Sequence, residues 1–98
     1  MKNNRISIRE CCAIYEVDPG FMDNLRERGL IHIIEDEQMP AGYILEEELR
    51  LLEKYIDFYY DLEINMEGIE AIAHLLNQMQ QMKQTILQLQ NQLQQHTP

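Results

Sequence analysis

The chain has 98 residues and a formal net charge of −9, from 17 acidic and 8 basic side chains. That length supports one small domain, or one small domain with an extension. Duplex DNA repels such a chain unless its few basic residues share one face, and no apolar run approaches the roughly 20 residues of a membrane span.

The charge is unevenly spread. Lys2, Arg5, Arg9, Arg26 and Arg28 lie in the first third, where Glu10, Glu16, Asp18, Asp23 and Glu27 offset them. Residues 35–67 hold most of the excess acid, opposed only by Arg50 and Lys54, and the last third is nearly uncharged. The opening "MKNNRISIREC" lacks the apolar stretch of a signal peptide, so the expected location is the cytoplasm. Cys11 and Cys12 are adjacent, and neighbours in a helix project about 100° apart, which excludes an intramolecular disulfide framework.

A first helix is expected from Ser7, where Ser7 and Glu10 form an S-x-x-E capping box. A second has Asp18 as N-cap, Pro19 at its first position and Gly29 at its stop, with Val17 and Met22 as a hydrophobic staple. Phe21, Met22 and Leu25 give it an inward face. Two short helices joined by "EVD" read as a helix-turn-helix.

A small hairpin should follow, with Ile31, Ile33 and Ile34 on one leg, Tyr43 to Leu45 on the other, and Pro40 and Gly42 near the tip. A third helix is expected from about Glu46 to Leu62, since Leu49, Leu52, Tyr55, Ile56 and Tyr59 recur at helical spacing. Tyr55, Tyr59 and Tyr60 read as packing of that helix.

Asn65 is the next N-cap, and a helix of roughly 45 Å should run from there to about Gln95 at ~1.5 Å per residue. Along it Ile72, Leu75, Met79, Met82, Ile86, Leu89 and Leu93 are spaced 3, 4, 3, 4, 3, 4, the seam of a dimerising coiled coil. Ile69, Ile72 and Leu76 should fold back on the domain, while Ile86 to Leu93 outrun it. The flanks are rich in glutamine and leave strand orientation open. The expected architecture is mainly α: a winged helix-turn-helix domain over residues 1–64 and a long helix over residues 65–98.

No catalytic constellation or cofactor motif is apparent, and the expectation is a protein that is not an enzyme. A closed metal site wants about four ligands. His32, His74 and His96 show no ligand spacing, so Cys11 and Cys12 read as packing residues of the first helix and no metal is expected.

The segments "ISIRECCAIYEVDPGFMDNLRERGLI", "GYILEEEL" and "DLEINMEGIEAIAHLL", in this order, resemble the MerR family of bacterial regulators. The resemblance implies a winged helix-turn-helix whose hairpin is the wing, followed by a dimerising coiled coil. It also implies DNA contacts that this sequence has altered. Phe21, Met22 and Asp23 stand where DNA-binding members carry an arginine and aromatics, and Ile44 stands where the wing arginine follows Gly-Tyr. The expectation is also of a protein without the effector-binding extension of full regulators.

The acidic character and the "GIEAIAHLLNQMQQMKQTILQLQNQL" tail resemble the CbpM group of chaperone modulators. That resemblance implies a protein that binds the J-domain of a DnaJ/CbpA-type co-chaperone and restrains it. J-domains present a basic helix, which an acidic surface could cover. Glu35, Asp36, Glu37, Glu46 and Glu47 are then the expected contact residues. The alternative is a dimeric DNA-binding transcriptional regulator that gathers Arg5, Arg9, Arg26 and Arg28 on one face.

Overall fold

The computed structural model describes residues 4–95, leaving Lys2 and His96 outside the described part. Its first element is a short strand, β1 (Arg5–Ser7), which leads directly into α1 (Ile8–Tyr15). Ser7 caps that helix. Its Oγ accepts the Glu10 N–H at 3.0 Å, and Glu10 Oε1 accepts the Ser7 N–H at 3.4 Å, completing the expected box. Glu16 ends α1 in a left-handed conformation (φ 56°), and α2 (Pro19–Glu27) follows. Pro19 opens it, and Gly29 (φ 73°) lies just past its end.

Asp18 occupies the N-cap of α2 as expected, but its carboxylate makes no capping bond. The staple residues Val17 and Met22 are both buried.

The wing is built differently from a simple hairpin. β2 (Tyr43–Leu45) pairs antiparallel with β1, matching Arg5 to Leu45, Ile6 to Ile44 and Ser7 to Tyr43. The other leg, 31–34, touches β2 through one bridge, in which Ile34 and Tyr43 exchange two hydrogen bonds of 2.9 Å. The long-range strand β1 therefore completes the ladder that the hairpin leg only begins.

Gly42 makes the turn back into β2 possible. Its φ is +104°, and a Cβ there would stand 2.6 Å from Ile33 Cγ2.

After a single turn of 3₁₀ helix (Glu46–Glu48), α3 (Leu49–Ile56) buries Leu52 and Tyr55. The Tyr15 hydroxyl donates to Glu53 Oε2 at 2.8 Å and ties α1 to α3. α3 then widens into a π turn (Asp57–Asp61), where the Leu62 N–H reaches the Asp57 carbonyl at 3.0 Å.

Asn65 starts α4 (Met66–Gln95), its Oδ1 accepting the Gly68 N–H at 2.7 Å. Met66 and Ile69 join Cys11, Phe21, Met22, Leu25, Ile31, Ile44, Leu52 and Tyr55 in one core. Ile72 and Ala73 are half-buried. Leu76, expected against the domain, is 40 % exposed, because the core ends about two turns into the helix. The 57 Å long dimension of the molecule reflects the length of α4 beyond the core.

Candidate interaction surfaces

The acidic wing is partly occupied by the chain's own arginines. Arg5 lies on β1, one strand from the wing, and its guanidinium meets Asp36 at 3.0 Å and Gln38 at 3.2 Å. It also lies 4.9 Å from the centre of the Tyr43 ring, in cation–π geometry. Arg26, from the last turn of α2, meets Glu35 at 3.3 Å. Asp36 Oδ1 further accepts the Met39 N–H at 2.7 Å, so this carboxylate shapes the tip of the wing.

Glu46 accepts from Asn4 Nδ2 at 2.8 Å, and its N–H reaches the Asn4 carbonyl. Asn4 and Arg5, adjacent at the N-terminal end of β1, therefore link the start of the helical turn at Glu46 to Asp36 of the wing. Glu37 and Glu47 are exposed, and neither makes an ion pair among the described residues. Of the five expected contact residues, these two and Glu46, whose carboxylate is bonded only to the neutral Asn4 amide, keep their charge, and Glu37 and Glu47 carry no hydrogen bond among the described residues to compete with a partner.

Of the four arginines of the DNA-binding alternative, three are paired with carboxylates of the chain. Arg5 and Arg26 turn to the wing. Arg28 turns the other way, to Glu70 at 2.8 Å and Glu67 at 3.5 Å on α4, while its Nε donates to Asn24. Arg9 is exposed, with no ion pair among the described residues. These pairs are solvent-accessible and individually worth about 1 kcal/mol or less. Their effect is on the field: three of four positive charges are cancelled locally.

Ile44 is fully buried opposite Ile6, so its side chain is not offered to a partner. Phe21 and Met22 are also buried and serve the core.

The heptad stripe of α4 is largely open. Ile72 is half-buried, whereas Leu75, Met79, Met82, Ile86, Leu89 and Leu93 are between 54 % and 70 % exposed. An apolar seam of this length on one helix is a surface that water does not favour.

Cys11 is buried, and burial, with the nearby Cys12 and Glu10, pushes its thiol up to about 11. Cys12 is half-buried and shifts in the same direction through burial, then Asp18 and Asp23. Both are poor nucleophiles at neutral pH. No group of three or more potential metal ligands comes together among the described residues. Among the same residues no helix is long and apolar enough to cross a membrane.

Sequence reading passed over one feature. Tyr55 packs as expected, but Tyr59 and Tyr60 are 38 % and 43 % exposed and surround a cleft with Phe21. The run of three aromatics in "DFYYD" was the available signal; the π turn that redirects them leaves no mark in the sequence.

The model of the MerR helix-turn-helix family of regulatory proteins matches residues 6–91, which covers the helix-turn-helix, the wing, α3 and most of α4. This chain belongs to that family, whose members are regulatory rather than catalytic. Comparison with curated proteins and with solved structures gave no significant match.

Proposed function

We propose that this protein is a chaperone modulator of the CbpM kind, a cytoplasmic homodimer that binds the J-domain of a DnaJ/CbpA-type co-chaperone and restrains it. One observation carries the reading: Arg5, Arg26 and Arg28, the cations a DNA-binding family member would offer to phosphate, are paired with carboxylates of the same chain. The burial of Ile44 in the place of the wing arginine agrees with it. Glu37 and Glu47 remain available for a basic J-domain helix, and the open seam of α4 is suited to a second copy of the chain.

The test is functional. Adding the protein to a J-domain and its chaperone should lower J-domain-stimulated ATP hydrolysis in a saturable way. Unchanged stimulation at a large molar excess would reject the proposal. The second reading, a dimeric DNA-binding regulator, is favoured by family membership and by the exposed Arg9, which makes no ion pair among the described residues.

A further inference from the structure

We propose that the cleft between the first turn of α2 and the π turn receives a lysine or arginine side chain of a polypeptide partner. Three rings form its apolar part. Phe21 lies 5.1 Å from Tyr59 and 5.3 Å from Tyr60, centroid to centroid, and the two tyrosines meet edge to face at 5.0 Å. Phe21 is buried and fixes the set, whereas the tyrosines keep much of their surface in solvent. The Tyr60 hydroxyl is held in place by the Asp18 N–H at 3.5 Å.

The polar part is anionic. Asp18 lines the cleft, and its carboxylate is exposed and not spent on capping α2. Asp57 and Asp61 bound the turn that carries both tyrosines, and none of the lining residues is basic. A helix N-terminus ordinarily repels a cation. Here Pro19 has no N–H, and the Phe21 and Met22 N–H groups are bonded to the Asp18 carbonyl, which leaves little of that field exposed.

Aromatic faces beside an unspent carboxylate suit a cationic group on an apolar stem, with the cation over a ring and its charge facing the acid. The cleft, about 410 Å³, is open on one side and shallow, which fits one side chain of a larger surface better than a free small molecule. The π turn supports the same assignment, since insertions of this kind recur at functional positions. This inference goes beyond the J-domain reading, because it names a side-chain class and not a partner.

The experiment follows ring and amide resonances of the full chain while three capped tripeptides are titrated, Gly-Arg-Gly, Gly-Lys-Gly and Gly-norleucine-Gly. The two cationic peptides should shift Phe21, Tyr59 and Tyr60 saturably, with affinities on the order of millimolar, and the norleucine peptide should not. A Cβ on Gly20 meets nothing within 4 Å, so Gly20→Leu is accommodated at its Cβ and adds bulk at the cleft's edge. That variant should fold and lose at least about fivefold in affinity for the cationic peptides, as should Tyr59→Leu, while Tyr60→Phe retains binding. Equal shifts from all three peptides, shifts confined to the wing, or unchanged binding by folded Gly20→Leu would overturn the proposal. The tripeptides make the outcome independent of whether a J-domain is the natural partner.

Discussion

The Arg5 guanidinium reaches from β1 to the Asp36 carboxylate at 3.0 Å, and the other oxygen of that carboxylate accepts the Met39 N–H at 2.7 Å. One acid of the wing thus serves the turn and cancels a cation at once. Its removal would disturb the wing itself and confuse any reading of partner binding.

The charges to change are therefore Glu37 and Glu47, exposed and outside these pairs. Substituting both with Gln should leave thermal stability within about 0.5 kcal/mol of wild type. Association with the J-domain should slow about two- to fivefold and become less sensitive to salt between 50 and 300 mM, where the Debye length falls from about 14 to 6 Å. Stopped-flow measurement of the association rate checks this. A rate and salt slope identical to wild type would remove the wing and the Glu46 turn from the interface.

Gly42→Ala should destabilise the protein by about 2–3 kcal/mol, because φ is +104° and the new methyl would stand 2.6 Å from Ile33 Cγ2. Urea denaturation gives the difference. A change below 0.5 kcal/mol, a bound set by ordinary surface substitutions, would show that the wing leg yields easily.

Stability should decline in alkali before most surface groups matter. Burial raises the Cys11 thiol from 9.0 to about 11, and burial with the hydrogen bond to Glu53 raises the Tyr15 hydroxyl from 10.0 to about 12. The folded state holds these protons longer than the unfolded state does. The contribution is complete below the unfolded values and is lost as pH rises through the folded ones, so it falls from about pH 9 upward. Melting temperatures from pH 8 to 11 should show this decline. In Cys11→Ala the starting value should be lower and the fall between pH 9 and 11 shallower. An equal slope in both proteins would exclude Cys11 as a source.

The α4 seam predicts assembly. Ile86 and Leu89 are each 54 % exposed in the single chain. Changing both to Glu would put two charges per chain into the seam, costing several kcal/mol if they stay ionised and unpaired. Sedimentation should show a wild-type dimer and a monomeric variant. A wild-type monomer at tens of micromolar would contradict the coiled-coil proposal.

Helix ends were the most legible part of this sequence. Ser7 with Glu10, Pro19, Gly29 and Asn65 act locally, within a turn or two, and their residue types announce the geometry. The strand Arg5–Ser7 was not legible: three residues carry too little alternation, and the partner Tyr43–Leu45 lies far along the chain. The arginine partners were hidden for the same reason, since Arg5–Asp36 and Arg28–Glu70 depend on tertiary placement. Asp18 shows the limit of a local rule: the residue sits at the N-cap with the expected backbone, yet its carboxylate does not cap. The extent of the core along α4 depended on the size of the packed domain, which is why Leu76 fell outside it.

The central claim is that a protein with this DNA-binding fold has exchanged nucleic acid for a J-domain. The most direct measurement titrates the labelled full-length chain, side by side at physiological salt, with the J-domain of a DnaJ-like protein from the same organism and with duplex DNA, random and promoter-derived. The account predicts saturable binding to the J-domain and none to DNA tighter than about 10 μM, far weaker than typical specific affinities. Nanomolar binding to a promoter fragment, with no binding to the J-domain, would contradict it.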